Sequence, residues 1–289
     1  MKIFDPHVHM TSRTTDDYQA MASAGIVAVV EPAFWLGQPR TTVGSFIDYF
    51  SSLVGFERFR ASQFGIHHFC TIGLNPKESN NRQLAEEVLR VSRRYLQKES
   101  VVAVGEIGFD DQTEAEAEYL RKQLELAMRA ELPVLVHTPH RDKKQGTIRT
   151  IEIVREVGIP ETMVLIDHNT EETLPIVLET DCWAGHSIYP HTKMNEERMA
   201  RLVERYGSEK ILINSAADWG ISDPLKVVKT VDAMKAAGIA LETIQKIVWD
   251  NPLTFFGQSG KLNREVLEKG PATPEGDLFE GSTIKRGER

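Results

Sequence analysis

Cysteine is scarce in this chain: Cys70 and Cys182 are the only two in 289 residues. Both sit in apolar stretches far apart, which reads as reduced core thiols and argues against a disulfide framework or a catalytic thiol. Long hydrophobic runs are missing as well. No stretch approaches the roughly 18 apolar residues of a membrane span, and the start of the chain lacks the apolar core of a signal peptide. A cytoplasmic protein with no membrane partner is the expectation. There is no basic block either, and the formal net charge is −8. That balance weighs against tight, sequence-independent nucleic-acid binding, which depends on Lys and Arg neutralising phosphates. No internal repeat is visible, and no linker-like stretch interrupts the pattern before the C-terminal tail, so one domain is expected.

What is present is an ordinary enzyme-like balance, 41% hydrophobic and 26% charged, over a length ample for a large core. Short β-branched or apolar runs at 2–8, 26–31, 66–74, 101–106, 134–137, 163–167, 182–187 and 210–214 read as strands. Between and after them, amphipathic stretches at 15–23, 43–62, 82–99, 114–130, 147–157, 171–178, 196–206, 224–237 and 241–248 read as helices. Gln123, Leu124, Ala127 and Met128 show the spacing of a buried helical stripe, and Gly25, Gly158 and Gly238 stand where a helix is expected to stop. Strand–helix alternation repeated eight times fits a closed parallel barrel better than an open sheet. The expected fold is therefore α/β, a single-domain (β/α)8 TIM-like barrel over residues 1–257, with a C-terminal tail at 258–289. The tail, rich in Gly, Pro, Glu and Ser from about Glu268, is expected either to be flexible or to pack across the barrel.

In such a barrel, chemistry gathers at the C-terminal ends of the strands. The first strand runs into Asp5-Pro6-His7-Val8-His9, and in extended chain His7 and His9 point the same way. The fourth candidate strand ends in Glu106, the fifth in His137 and the sixth in His168, and the eighth runs out to Asp218. A lone histidine at a strand end is more often a hydrogen-bonded structural residue. All of these at one mouth form instead an N/O ligand set suited first to zinc, and also to manganese, iron, nickel, cobalt or magnesium. The set exceeds the needs of one tetrahedral ion, so two divalent ions sharing a bridging carboxylate are expected. They would lower the pKa of a water to about 7, with a carboxylate at the eighth strand to take its proton.

At these residues the sequence resembles the TatD-related branch of the metal-dependent amidohydrolase superfamily, from about Met1 to Gly257. The resemblance rests on DPHVH, on GEIGFD around Glu106, on QLELAMRAELPVLVHTP leading through His137, on His168, and on the closing NPLTFFG. It implies a TIM-like barrel with one or two divalent ions: His7 and His9 hold one with Asp218, His137 and His168 hold the other, and Glu106 bridges them. Asp218 becomes the proton-handling carboxylate. The chain departs from the family at Gly73-Leu74-Asn75-Pro76, where a histidine usually stands in place of Asn75. It departs again at Asn214-Ser215-Ala216-Ala217-Asp218, where ETD is usual, and after His137, where Thr138-Pro139-His140-Arg141 replaces Ser-Arg. These changes fall mostly in substrate-facing loops and bear on nuclease activity more than on hydrolysis.

Further residues are expected to line the pocket: Glu31, Asn75, His140, Arg141, His186, Tyr189 and Trp219, with the aromatic pair Phe34-Trp35 nearby. His67 and His68, at the start of the third strand, are expected to be structural. The resulting reading is a metal-dependent hydrolase acting on an ester, amide or phosphoester of a small-molecule substrate, with Asp218 and Glu106 as catalytic carboxylates. The alternatives are a metal-dependent DNase removing nucleotides from DNA ends (a 3'-5' exonuclease), and a barrel that binds a ligand or partner without catalysis. The sequence leaves the oligomeric state open.

Overall fold

The computed structural model describes residues 1–272. Eight parallel strands follow one another around a single sheet in chain order. They are β1 (Ile3–Asp5), β2 (Ile26–Pro32), β3 (His67–Ile72), β4 (Val101–Gly108), β5 (Val134–His137), β6 (Val164–Ile166), β7 (Trp183–Ser187) and β8 (Ile211–Asn214). Helices separate them, and the result is a nearly closed (β/α)8 barrel, as expected. The seam between β8 and β1 is drawn together just past the strand ends. Ala216 N–H donates to the His7 carbonyl and His9 N–H to the Ala217 carbonyl, both at 2.8 Å. The buried Asp5 carboxylate accepts from the N–H of Ser215 at 3.2 Å.

Local chemistry explains the element ends. The helix Glu114–Ala130 starts where Thr113 Oγ1 accepts the Glu116 N–H at 3.1 Å, and Glu196–Tyr206 starts on the side chain of Asn195. Lys143–Val157 ends on Gly158 at φ 78°, a left-handed position that glycine occupies without steric cost. β1 is shorter than the 2–8 run suggested, because Pro6 and the Asp5 side chain, which accepts the His7 N–H at 3.2 Å, turn the backbone there.

Alternation sorts strand residues into two layers. Leu135 and Leu212 lie two residues before His137 and Asn214, so they share the inward face with them. They join Phe4, Val30 and Leu165 in a cluster plugged by Trp249, Phe255 and Phe256. The opposite faces carry Val29, Ile72, Val134 and Ile166 into the larger sheet–helix core. Both cysteines are free and buried, and burial pushes their thiols up, to about 12 for Cys70 and about 11 for Cys182. No helix among the described residues is long and apolar enough to cross a membrane.

After the last barrel helices, Arg264–Lys269 lies against the start of the chain. Leu267 is buried, and Lys2 Nζ donates to its carbonyl at 3.2 Å. Ala272 N–H reaches the Gly65 carbonyl at 3.0 Å. Of the tail expected beyond 258, residues 273–289 lie outside the described residues.

One buried carboxylate in the helical layer makes stability depend on pH. Glu57 accepts from the Tyr18 hydroxyl and from Arg60, each at 3.2 Å. Burial, reinforced by nearby Glu31 and opposed by Arg60, raises it from 4.5 to about 8. A raised carboxyl binds its proton more tightly when folded, so its contribution is greatest at low pH and falls as pH rises from about 4.5 to about 8. Glu57→Gln is therefore expected to gain melting temperature relative to the parent on going from pH 5 to pH 8. Calorimetry on both proteins at the two pH values checks the sign, and a constant difference would refute it.

Candidate active site

At the C-terminal ends of the strands lies a cavity of about 530 Å³, bordered by Glu106 and His137 on β4 and β5 and by His7, His9 and His168 just beyond the ends of β1 and β6. Facing them are Asn75, His140, Tyr189, Lys193, Asp218 and the indoles of Trp35 and Trp219. The ligand atoms of His7, Glu106 and His168 all lie within 4.8 Å of one another. His7 Nε2 is 2.9 Å from His9 Nε2, and Glu106 Oε1 is 3.1 Å from both His137 Nδ1 and His168 Nε2. The histidines and the glutamate expected as ligands are thus brought together in one contact network.

The outer hydrogen bonds decide which nitrogens face inward. His7 Nδ1 donates to the fully buried Asp167 carboxylate at 2.6 Å, so in the neutral ring Nε2 keeps the lone pair and faces inward. His168 Nδ1 is 2.6 Å from Ser187 Oγ, whose own proton goes to Asn214 Oδ1 at 2.7 Å, so His168 must donate and its Nε2 is likewise unprotonated. Asn214 in turn donates to Asp167 at 3.0 Å. Two ring nitrogens and a carboxylate oxygen therefore converge on one point, and Asp167 and Glu106 raise the His7 imidazole against its burial, so this donor set draws positive charge to itself, from a proton or from a metal ion. Imidazoles anchored through the second nitrogen are the arrangement metal-binding histidines need. The residues fit a divalent ion.

The polar frame is tightly built. Gly185 matters here because a Cβ on it would come within 2.4 Å of Asp167 Oδ1. Burial alone would raise Glu106, but His137, His168 and His7 around it outweigh that and hold the carboxyl well below its usual range. Asp167 is likewise lowered against its burial by His168 and His7. Burial, with neighbouring His7, holds His9 well below the ordinary imidazole range, and burial with Lys193 does the same for His168.

Asp218 stands apart from this network while lining the same cavity. Its Oδ1 accepts from the Tyr189 hydroxyl at 2.9 Å and the Gly220 N–H at 2.8 Å, and among the described residues Oδ2 has no hydrogen bond. β8 ends at Asn214, and Ala216 at φ 43° carries the chain across the His7–His9 segment, which sets Asp218 at the rim. Asn75, expected to touch substrate, donates to Glu106 Oε2 at 3.1 Å and so braces that carboxylate. His140, Tyr189 and Trp219 line the cavity as expected.

Three expected pocket residues are not brought to it. Glu31 follows inward-facing Val30, so alternation turns it into the sheet–helix layer, where Thr11 and His68 bind its carboxylate at 2.7 and 2.8 Å. His186 lies between Gly185 and Ser187, and because Ser187 faces His168, His186 faces the helices, fully buried. Burial lowers its imidazole to about 4. Arg141 projects from the loop after β5 with its side chain 88% exposed, its carboxylate neighbour Asp111 4.0 Å away.

Asp167 and Lys193 were missed from sequence. Alternation would set Asp167 opposite His168, but His168 adopts φ 62°, and this left-handed turn brings both side chains to the interior. Lys193 sits in the loop after β7, among polar residues with no periodicity to mark it. Its Nζ is 3.2 Å from His168 Nδ1 and 5.3 Å from the centre of the Tyr189 ring. Burial lowers this ammonium from its ordinary range.

Comparison with known proteins agrees with this geometry. The profile of the family described as TatD related DNase matches residues 4–257. An uncharacterized metal-dependent hydrolase of Methanocaldococcus jannaschii is 28% identical over 257 residues, which covers 88% of this chain and 99% of that protein. The crystal structure of a TatD-like protein from Archaeoglobus fulgidus superposes with a TM-score of 0.73 at 29% identity, covering 88% of this chain and 99% of that one. The phosphotriesterase homology protein of Escherichia coli shares the fold at a TM-score of 0.65 and 12% identity, over 88% of this chain and 98% of its own.

Proposed function

We propose, from the premise that this chain belongs to the TatD-related DNase family and is a metal-dependent hydrolase, that it cleaves an ester, amide or phosphoester bond of a small molecule at a two-ion site. The observation that carries this reading is the convergence of the inward ligand atoms of His7, His168 and Glu106 inside a cavity that also presents a carboxylate with a free oxygen. His7 and His9 would hold one ion, His137 and His168 the other, with Glu106 between them; zinc suits this donor set first, then manganese, iron, nickel, cobalt or magnesium. When bound, such ions supply positive charge at the reacting oxygen and make a water acidic enough to lose its proton near neutral pH.

The remaining steps belong to the side chains. Asp218 Oδ2 is free to take the proton of the attacking water, while Tyr189 and Gly220 fix Oδ1 and so the direction of the carboxylate. The hydrogen bonds of Asp218 favour this role over that of a metal ligand. Asn75 holds Glu106 from the other side, and the indoles of Trp35 and Trp219 line the mouth.

A second reading, cleavage of DNA ends, draws on the family's description and on the Trp35–Trp219 pair, on which a base could stack. The net charge of −8 opposes it. The test is metal content and hydrolysis before and after chelation, with p-nitrophenyl esters and phosphoesters and with single-stranded DNA. Close to two equivalents of metal, and chelator-sensitive turnover of the small substrates, are expected. Less than one equivalent after careful loading would overturn the two-ion site, and turnover of DNA alone would favour the nuclease.

A further inference from the structure

The outer half of the cavity has a different character from its floor. Trp35, from the loop after β2, and Trp219, from the loop after β8, meet edge to face with ring centres 5.8 Å apart. Trp219 is 53% exposed, and the neighbouring positions along these loops are also apolar and open: Leu36 at 37% and Ile221 at 81%. Single exposed apolar side chains are ordinary, but an aromatic and aliphatic patch at the lip of a polar cavity marks a binding surface.

Lys193 lines the same cavity beside the ligand cluster, its Nζ 3.2 Å from His168 Nδ1. Its ammonium has no carboxylate within 4.0 Å among the described residues, and the nearby His168 Nδ1 offers it no lone pair, because that nitrogen donates to Ser187. The other lysine on the cavity, Lys77, is already paired with Asp110 at 2.6 Å. The cavity thus joins metal-type ligands, a cation with no carboxylate against it among the described residues, and two indoles. Its volume of about 530 Å³ falls in the range of small-molecule sites.

We propose that the substrate is an amphipathic anion, with a phosphate or carboxylate head seated on Lys193 beside the ligand cluster and an aliphatic or aromatic tail lying on Trp35 and Trp219. This rests on reading the site as hydrolytic, and goes further in naming what enters it. A nucleic acid would use the indoles too, but it would need a track of cations along its backbone, whereas Leu36 and Ile221 flank the indoles here.

The experiment is calorimetric binding to the metal-loaded full chain, with octyl phosphate against inorganic phosphate and octanoate against acetate. The pair with the tighter eight-carbon ligand identifies the head. In the parent, that ligand is expected to bind at least tenfold more tightly than its bare head. Trp219→Ala should bring the ratio below threefold. Lys193→Gln should weaken both members of the pair by a similar factor and keep the ratio. Because Trp219 is half exposed, its truncation leaves the core intact, so a folding defect in the Lys193 variant would still leave the tail contact measurable. A ratio near one in the parent, a ratio that survives Trp219→Ala, or an eight-nucleotide oligothymidylate that outbinds the octyl ligand would overturn the proposal. Turnover is measured separately. Tail-dependent binding without chelator-sensitive hydrolysis defeats the hydrolytic reading, and hydrolysis without tail preference defeats the amphipathic substrate.

Discussion

Glu106→Ala is expected to lose bound metal, to lower turnover by at least 1,000-fold, about 4 kcal/mol of transition-state stabilisation, and to melt at a lower temperature than the parent. The reason is how many groups this one carboxylate serves. Oε1 lies 3.1 Å from His137 and from His168 and 3.6 Å from His7, and Oε2 accepts from Asn75. Removing it strands buried imidazoles without their anion and leaves a void in a site that cannot collapse around the barrel wall. Breaking a buried charged cluster by deleting one member costs about 3–5 kcal/mol, and the histidines can relieve part of this by staying neutral, which favours the lower end. Glu106→Gln separates the two effects, since it fills the volume but offers the ion an amide. It should melt closer to the parent while still losing metal. Elemental analysis after dialysis and a thermal melt read both outcomes. A Glu106→Ala protein that keeps full metal and more than a tenth of the turnover would remove Glu106 from the centre of the site.

Asp218→Asn should do the reverse: keep most of the metal and lose about 100- to 10,000-fold in turnover, the range for a positioned proton acceptor. The hydrogen bonds explain the separation. Oδ1 is fixed by Tyr189 and Gly220 and Oδ2 is free, while no histidine of the ligand network bonds to either oxygen among the described residues. An amide in the same place can keep the contacts of Oδ1 but cannot accept a proton at neutral pH. Metal content and kcat measured on one preparation decide the matter. Equal metal loss in this variant and in Glu106→Ala would contradict the division of roles and restore Asp218 to the ligands.

The two substitutions also mark how much of the site could be read from residues in a row. His7, His9, Glu106, His137 and His168 were legible because a parallel barrel sends every strand end to the same mouth, so a polar residue that closes an apolar run is placed by chain position alone. The same rule failed for Glu31 and His186. Strands covered on both faces are apolar on both, and a nearly continuous hydrophobic run does not reveal which face is inward. The phase was set only when Val30 and Ser187 were seen to point inside. Asn75 was legible as a departure from the family pattern, but not as the brace of Glu106.

By itself, then, the sequence determined the eightfold strand–helix alternation, the family and the ligand residue types at the strand ends, since these follow from periodicity and local order along the chain. The tertiary structure alone decided that Asp167 and Ser187 turn the histidine nitrogens, that Asp218 stands off from the ligands, and that Lys193 and the two indoles face the same cavity. Those relations join residues far apart in the chain through a left-handed turn at His168 and through loops without periodicity, and only the closure of the barrel brings them within a few ångströms.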